Sequence, residues 1–295
     1  MSASADKQKD VEAFWDSKPC GSEQSKLAPI SRDYFREIEQ ERYTHQRHIK
    51  RLLSNISWRG KNVLEIGTGV GTDARHIISE GGIYTGINVD KGSTDMTAKA
   101  LEVYAMPGKV RKCSATAMDF PDSSFDVVYS FGVLHHIPDV DRAVDEIHRV
   151  LKPGGDVLVM VYNKTSINYY VEIMFLRKLV RRMLVLPGAV PFLAQLGFPE
   201  DKLRRHLELY RSSRTMTQQE WLSRNTDGPE NPFSKVYSAT EAANLFRRFE
   251  VISNETYYFD PRHWGPIGRL LPRAGVDYLG RRLGWHRIIR ARKRP

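Results

Sequence analysis

Residues 63–72, with the sequence V-L-E-I-G-T-G-V-G-T, form the stretch around which the rest of the chain is organised. Val63, Leu64 and Ile66 predict a short buried strand, and Thr72 begins a helix after the glycines. Glycine suits such a turn because the backbone adopts positive φ and brings bare N–H groups close to a ligand. The stretch therefore predicts a strand, a tight turn and a helix at a ligand site.

The spacing of the glycines separates this turn from a dinucleotide-binding turn, which has the form G-x-G-x-x-G. Here the form is E-x-G-x-G-x-G, with Glu65 two residues ahead of Gly67. It resembles motif I of the class I S-adenosylmethionine-dependent methyltransferases. The resemblance implies S-adenosylmethionine as cofactor, with the Glu65 carboxylate at its methionine end and Gly67, Thr68, Gly69 and Gly71 around it.

The ends of two later strands also match this family, but other residues stand at the positions where the family usually has an acidic residue. In G-I-N-V-D (86–90), Asn88 stands where the family has the acid that binds the ribose diol, and Asp90 is the alternative. An amide can still accept one hydroxyl hydrogen bond and donate another. After the third strand, Ser114 and Ala115 stand where an acid contacts adenine, so the resemblance assigns the Ser114 hydroxyl and the Ala115 N–H to that edge.

The most specific match is D-F-P-D-S-S-F-D-V-V-Y-S-F-G-V-L-H-H-I-P-D, residues 119–139. It resembles the small-molecule, UbiE-like branch of the family, in which the run after the fourth strand passes beneath the cofactor. This assigns Ser130 and Phe131 to the cofactor site. The nucleic-acid amino-methylating branch would show Asn or Asp, then Pro-Pro and an aromatic residue, and this chain lacks that tetrapeptide. E-I-H-R-V-L-K-P-G-G (146–155) also matches and supports the fold.

His135 and His136 follow the fourth strand and are the candidates for a general base. The carboxyl ends of parallel strands form the edge at which ligands bind, and imidazole titrates near neutrality. His136 is favoured because it matches a position that recurs in the family. The alternative is that one or both histidines are structural. A sulfonium methyl is already electrophilic, so a base is required only if the acceptor must lose a proton.

Strands that alternate with helices predict a parallel, doubly wound α/β sheet. The resemblance makes this a Rossmann-like sheet of seven strands with a late hairpin. Pro153, Gly154 and Gly155 are expected to end a helix and turn the chain into the fifth strand. Beyond the first strand and helix, we predict strands at 83–89, 109–113, 125–130, 156–162, 251–258 and 284–291, and helices at 33–53 (with Ser31 as N-cap), 94–104, 141–151 and 239–249.

The pattern divides the chain into three parts. They are an N-terminal helical lid (1–58), a cofactor-binding core (59–162 and 235–295) and a helical cap inserted after the fifth strand that binds the acceptor (163–234). The lid resembles the segment that small-molecule methyltransferases fold over the cofactor; alternatively, its aromatic residues only anchor a terminal helix. The candidates for the acceptor pocket are Trp15, Tyr43, Tyr169, Tyr170 and Trp221, although aromatic residues at helical spacing are more often core.

Positive charge is concentrated in two segments of the 295-residue chain. Residues 262–295 contribute +9 and residues 163–215 contribute +6 to a net charge of +10, so the remainder is slightly acidic. This distribution fits an anionic substrate, an anionic membrane or nucleic acid. It fits equally well a solvated basic tail without a partner.

The chain shows no sign of export or of a metal centre. Cys20 and Cys113 lie far apart and flank no histidine at metal-ligand spacing, so neither a disulfide framework nor a metal site is predicted. The N-terminus lacks an apolar signal segment, and residues 183–198 are too short and too interrupted by proline to span a bilayer. We expect a cytoplasmic protein without stable insertion in a membrane.

The function that these features favour is a biosynthetic enzyme, of the kind found in secondary metabolism, that methylates O, N or C of a small molecule. The acceptor is expected to be apolar or aromatic, of natural-product, quinone or lipid type, and no nucleic-acid partner is expected. Two alternatives remain open: an RNA or protein methyltransferase that uses the basic C-terminal segment, and a non-catalytic scaffold with the same fold. The oligomeric state, including a homo-oligomer, is also open.

Overall fold

A computed structural model describes residues 3–22, 25, 27, 30–212, 215–264, 268 and 270–295. Residues 1, 2, 23, 24, 26, 28 and 29 of the predicted lid lie outside the described part. Within that part the chain forms one sheet. Its strands are β1 (Asn62–Ile66), β2 (Ile83–Asn88), β3 (Lys109–Lys112), β4 (Phe125–Phe131), β5 (Leu151–Asn163), β6 (Val236–Tyr237), β7 (Phe249–Tyr257) and β8 (His286–Lys293).

The strand order along the sheet is β3-β2-β1-β4-β5-β8-β7, with the short β6 also paired to β5. Strands β1 to β6 pair in parallel, whereas β8 runs antiparallel to both β5 and β7. From β1 the chain adds β2 and β3 on one side of the sheet, and then β4 and β5 on the other side. The position between β1 and β4 is therefore the switch point at which ligands bind in open α/β sheets. The α/β fold predicted from sequence is confirmed, and the described sheet has one strand more than predicted because of β6.

Helices surround this sheet on both faces. They are α1 (Ala3–Ser17), α2 (Arg32–His45), α3 (His48–Ser54), α4 (Thr72–Ser79), α5 (Lys91–Val103), α6 (Val140–Val150), α7 (Arg177–Leu184), α8 (Ala189–Gln195), α9 (Glu200–Ser212), α10 (Gln218–Arg224), α11 (Ala239–Leu245) and α12 (Arg273–Leu283). A π-helical segment, Asn168–Leu176, precedes α7. None of the described helices combines the length and the apolar character needed to span a bilayer.

Side chains of the central strands alternate between two hydrophobic clusters. Val63 packs with α3 and α4 on one face, whereas Leu64 and Ile66 pack with α6 and α11 on the other. Val127 and Val128 of β4 divide in the same way. Because successive side chains of a strand point to opposite faces, an apolar run of this kind is buried from both sides. The helices on both faces then hold β1 and β4 rigidly below the turns that follow them.

The prediction of one helix over residues 33–53 is wrong, because the segment forms two helices, α2 and α3. Ser31 caps the first of them as predicted and accepts a hydrogen bond from the N–H of Tyr34. The chain leaves the helical conformation at Gln46 and resumes it as α3. Tyr43 and Ile49 are both buried in the same cluster. Six residues of one straight helix would place them about 120° apart around its axis, so the break is what brings both side chains to the sheet.

The predicted boundaries around β5 and α11 also need correction. Strand β5 begins at Leu151, which pairs with Phe125 before the register shifts to Val127 opposite Asp156. The Pro-Gly-Gly sequence at 153–155 is therefore an irregularity inside the strand and not a turn before it. Helix α11 ends at Leu245, and the next strand starts at Phe249 because that residue pairs with Lys293.

Candidate active site

A cavity of about 380 Å³ lies at the carboxyl ends of β1, β2 and β4. Its walls come from parts of the chain that are far apart in sequence, including α1, α2, the strand ends, the loop after α10 and the segment after β7. Eight of the residues predicted for the cofactor line this cavity: Glu65, Gly67, Thr68, Gly69, Asn88, Ser114, Ala115 and Phe131. The geometry therefore brings most of the sequence-predicted cofactor set around one space.

The glycine turn has the backbone conformation that its sequence predicts. Gly67 and Gly69 have φ values of 78° and 54°, which side-chain-bearing residues rarely adopt. A Cβ atom at Gly67 would lie 2.1 Å from Val133 Cγ2, and one at Gly69 would lie 3.0 Å from the carbonyl oxygen of Cys20. Gly71 also has positive φ, but it caps the N-terminus of α4 and does not line the cavity.

The side chain of Asn88 braces the glycine turn. Its Oδ1 accepts a hydrogen bond of 2.7 Å from the N–H of Thr68, and its Nδ2 donates to Thr68 Oγ1 at 2.8 Å. Asp90 lies beside it on the same wall, where its carboxylate accepts from the N–H of Ser93 at the start of α5. Burial raises the pKa of Asp90 above its usual value. Both residues considered for the ribose thus border the cavity, and Asn88 has part of its hydrogen-bonding capacity already in use.

Glu65 and Asp73 are neighbouring buried carboxyl groups in different electrostatic settings. Burial, and then the charge of Asp73, raise the pKa of Glu65 to about 8, and its Oε2 accepts a 2.6 Å hydrogen bond from the Tyr84 hydroxyl. Burial acts in the same direction on Asp73, but the Arg42 guanidinium 2.6 Å away holds its pKa below the usual value. Neighbouring acids whose pKa values are driven apart are typical of functional sites.

His136 is the predicted catalytic histidine that borders the cavity. Its Nδ1 lies 2.8 Å from the carbonyl oxygen of Phe233, which can only accept, so Nδ1 carries a hydrogen. Its Nε2 lies 3.4 Å from Asp227 Oδ2. The hydrogen bond at Nδ1 orients the ring and leaves Nε2 as the nitrogen that could accept a proton, as an oriented general base requires.

His135 lies behind His136 and does not line the cavity. Its ring packs against Tyr162 with centroids 3.7 Å apart, and neither ring nitrogen has a hydrogen-bond partner among the described residues. Burial holds the pKa of His135 well below its usual value. The structure thus gives the two adjacent histidines different surroundings and leaves His136 as the candidate base.

Some residues predicted to bind the cofactor or the acceptor do not line the cavity, so these predictions need correction. Ser130 is fully buried and donates to the carbonyl oxygen of Ile66, because β4 alternates and points it away from the cavity. Among the predicted acceptor residues, Trp15 lines the cavity, and its ring meets that of His136 at a centroid distance of 5.2 Å. The other four predicted acceptor residues do not line it.

Those four residues have other partners or positions. Tyr43 donates to Asp73, and Tyr169 accepts from the Gln218 side chain. Trp221 donates to the carbonyl oxygen of Ile173 inside the cap, and Tyr170 is 56% exposed. Tyr169 and Trp221 are therefore packing residues of the cap, Tyr43 is a packing residue of α2, and Tyr170 lies at the surface.

Sequence reasoning missed the residues that complete the cavity. Asp227 comes from the loop after α10, and its Oδ1 accepts a 2.8 Å hydrogen bond from the Tyr162 hydroxyl. No local pattern distinguishes it from other loop acids, because its partners lie about 65 and 91 residues earlier in the chain. The sequence also did not indicate an aromatic wall from the ends of β5, β7 and β8, which adjoins the predicted Phe131: Tyr162, Tyr258, Trp285 and His286.

A known protein family matches the part of the chain that runs from β1 to β5. A family model described as "Methyltransferase domain" matches residues 64–159. The match includes the glycine turn, Asn88, Ser114 and His136, and it excludes Trp15 and Asp227. The chain therefore contains a domain of the family that the sequence motifs resemble.

Two curated relatives are methyltransferases by name. Phosphoethanolamine N-methyltransferase 2 of Caenorhabditis elegans is 38% identical over 110 residues, which cover 36% of this chain and 24% of the relative. The 2-methyl-6-phytyl-1,4-hydroquinone methyltransferase of Synechocystis sp. is 33% identical over 148 residues, which cover 48% and 45% of the two chains. This chain thus spans less than half of the length of either relative.

Solved structures match over nearly the whole chain. The crystal structure of the cyclase SpnF is 16% identical, covers 98% of this chain and 96% of its own, and superposes with a TM-score of 0.55. At this identity the likeness shows the fold alone.

Proposed function

We propose that this chain, whose residues 64–159 form a class I S-adenosylmethionine-dependent methyltransferase domain, transfers a methyl group to O, N or C of a small apolar or aromatic molecule. The observation that carries the proposal is that two kinds of residues line one cavity. The first half of the lining comprises Glu65, the glycine turn and the ends of β2 and β3, and the second half comprises aromatic side chains and His136.

The residues of the first half fit the cofactor. Val133 and the carbonyl group of Cys20 pack too closely on Gly67 and Gly69 to leave room for a Cβ, and Glu65 lines the same cavity. Asn88 and Asp90 offer polar atoms to a ribose, and Ser114 and Ala115 offer a hydroxyl and an N–H to an adenine edge. When bound, S-adenosylmethionine would supply a methyl group on a positively charged sulfur, which is already reactive towards nucleophiles.

The protein's own residues would then position the acceptor and exclude water. Trp15 of α1 lines the cavity beside His136, and the rings of Tyr162 and Trp285, which stack with centroids 4.3 Å apart, line it as well. Orientation and removal of water are the main requirements of an in-line methyl transfer. For an acceptor with an acidic O–H or N–H, His136 Nε2 would take the proton while Asp227 stabilises the resulting charge.

The aromatic wall supports an apolar or aromatic acceptor. A pocket lined by rings gains affinity by burying apolar surface, at about 25 cal/mol for each Å². The hydroquinone in the name of one relative fits this wall, whereas the phosphoethanolamine in the name of the other does not. Part of the C-terminal positive charge also has a structural role, since β8 lies inside the sheet and its Arg292 pairs with Asp156.

The experiment is a transfer assay with methyl-labelled S-adenosylmethionine and a panel of acceptors. The panel contains a prenylated hydroquinone, a simple phenol, phosphoethanolamine and a mixed RNA. We expect label in the hydroquinone or the phenol. Transfer to phosphoethanolamine or RNA alone would contradict the proposed acceptor class, and an absence of cofactor binding would contradict the activity itself.

A further inference from the structure

The exposed apolar side chains of the described residues are concentrated on the cap. Eleven of the eighteen exposed large hydrophobic residues lie between Tyr170 and Phe198, a stretch of 29 residues. Phe175 is 64% exposed, and Leu186 and Leu196 are each 61% exposed. We call six of them the cap patch: Phe175, Leu179, Met183, Leu186, Phe192 and Leu196. An apolar concentration of this kind on a protein surface marks an interaction site.

Three residues of the cap patch form the outward apolar face of an amphipathic helix. Phe175, Leu179 and Met183 recur every four residues and so form one stripe along the end of the π-helical segment and α7. Ile173 and Leu184 of the same helices are buried against the rest of the cap. The cap thus has an inner apolar face that is covered by protein and an outer one that no described residue covers.

The charges beside the stripe are positive. Lys178 and Arg182 are exposed next to Leu179 and Met183, and the sequence has no acid from residue 173 to residue 199. The nearest acid, Glu172, is mostly buried and pairs with Arg177 at 2.6 Å. Two copies of the chain docked through this face would bring like charges together, whereas an anionic surface would neutralise them.

We propose that the cap patch docks the protein on the surface of an anionic lipid bilayer. The stripe would lie in the interface plane with Phe175 and its apolar neighbours among the acyl chains, and Lys178 and Arg182 would reach the headgroups. Such a helix lies on a membrane and does not cross it. The inference goes beyond the proposed function, because it concerns where the protein sits and not what it methylates.

The position of the patch connects the bilayer surface with the cavity. On the inner side of the same helices, Arg177 donates to the carbonyl oxygen of Asn225, two residues before Asp227. Glu172 lies 3.2 Å from the imidazole of His263, which borders the cavity. The cap patch is therefore the outer face of a wall whose inner partners belong to the candidate active site, and an apolar acceptor dissolved in the bilayer would have a short way to the cavity.

The test is co-sedimentation of the full chain with vesicles of phosphatidylcholine, with and without phosphatidylglycerol. We expect binding to the anionic vesicles, a strong decrease at high salt and little binding to the neutral ones. Phe175→Ser with Phe192→Ser should weaken binding by at least about tenfold, because two apolar anchors are lost. Lys178→Gln with Arg182→Gln should weaken it by about tenfold on anionic vesicles only.

Matched controls remove similar side chains elsewhere. Ile83→Ser with Ile252→Ser removes two exposed apolar residues from the sheet, and Lys61→Gln with Lys109→Gln removes two exposed charges from strand starts. Both controls should bind vesicles like the parent, and all variants should keep their affinity for S-adenosylhomocysteine. The proposal is overturned if the parent ignores anionic vesicles, if it forms a dimer that the Phe175 and Phe192 changes dissociate, or if the controls lose binding equally.

Discussion

The Tyr84 hydroxyl donates a hydrogen bond of 2.6 Å to the Glu65 carboxyl beside the cavity. Burial and the nearby charge of Asp73 raise the pKa of Glu65 to about 8, from a usual value near 4.5. In the ligand-free protein this carboxyl group is therefore mostly protonated at neutral pH. Binding of a cofactor ammonium group favours the carboxylate, so binding must expel the proton.

We predict that the affinity for S-adenosylhomocysteine rises with pH up to about 8 and then levels off. Below the raised pKa, each pH unit costs up to about tenfold in affinity, because a larger share of the protein must first lose the proton. Above it the carboxylate is already formed. The measurement is calorimetric titration across this range in buffers of different ionisation enthalpy, which also counts the released proton.

Glu65→Gln is the control, because it leaves the shape of the site and removes the titration. Its affinity should be lower above pH 8 and its pH slope smaller than that of the parent. Tyr84→Phe removes a donor that lowers the pKa of Glu65, so its plateau should begin at higher pH. Identical slopes in the parent and Glu65→Gln would show that Glu65 is not the titrating group.

Removal of Arg42 from its ion pair with Asp73 should destabilise the fold strongly, because Asp73 would keep a buried charge without a partner. Asp73 accepts from Arg42, Tyr43 and Tyr129, and its side chain is almost fully buried. Arg42→Met would leave this carboxylate without its cation and should lower the free energy of unfolding by about 3 to 5 kcal/mol. Urea denaturation monitored by circular dichroism measures the change.

Arg36→Met is the matched variant in the same helix. Arg36 pairs with Asp33 at 2.7 Å, but both side chains are more than 60% exposed. Exposed pairs contribute at most about 1 kcal/mol, so this variant should unfold nearly like the parent. Equal losses in the two variants would contradict the special role of the buried pair.

The fold was largely predictable because its signals are local. The apolar run and glycines of 63–72 determine strand, turn and helix within a few residues of one another, and the structure confirms the positive φ of Gly67 and Gly69. The break at Gln46 was not predictable, since it depends on where the sheet surface lies. The early start of β5 at Leu151 likewise depends on pairing with Phe125 of another strand.

The residues of the candidate site likewise fall into two groups: those that local sequence predicts and those that depend on distant parts of the chain. Residues in or shortly after a strand, such as Glu65 within β1 and His136 in the turn after β4, could be identified from their motifs and do border the cavity. Asp227 meets His136 only because the loop after α10 folds back over the sheet, and no local pattern encodes that approach. Trp221 was predicted to line the acceptor pocket because of its aromatic ring. In the structure this ring packs inside the cap, where it donates to the carbonyl oxygen of Ile173 and stacks on Tyr210.

His136 and Asp227 should affect turnover more than cofactor affinity. For an acceptor that must lose a proton, His136→Gln should lower kcat by about 100-fold or more, and Asp227→Asn by about tenfold. The dissociation constant for S-adenosylhomocysteine should stay unchanged in both. Unchanged kcat with a phenolic acceptor in both variants would show that His136 is structural.

The first helix should act as the cover of the cavity. Asp16 Oδ1 accepts from the N–H groups of Lys91 and Gly92 at the start of α5, which holds Trp15 against His136. Deleting residues 1–17 should abolish or severely lower methyl transfer while the sheet, which begins at Asn62, stays folded. Activity assays and circular dichroism on the truncated chain measure the two effects separately.

Asp16→Ala is the milder version of this test. Loss of a carboxylate that caps a helix costs about 1 kcal/mol, so we expect a several-fold rise in KM with little change in unfolding. Asp33→Ala, which removes an exposed acid from the first turn of α2, should leave KM unchanged. A truncated chain with full turnover would show that the N-terminal helix is no lid.

The central claim, that the glycine turn holds S-adenosylmethionine, is tested most directly by calorimetric titration of S-adenosylhomocysteine into the parent, Gly69→Val and Gly154→Val. Both glycines have positive φ, but a Cβ at Gly69 would meet Cys20 beside the cavity, whereas one at Gly154 would meet nothing within 4 Å. The two variants thus share the backbone strain and differ in whether the side chain fills the site. We predict that the parent and Gly154→Val bind alike and that Gly69→Val binds at least about tenfold more weakly. Parent-like affinity in Gly69→Val, or no binding by the parent, would contradict the account.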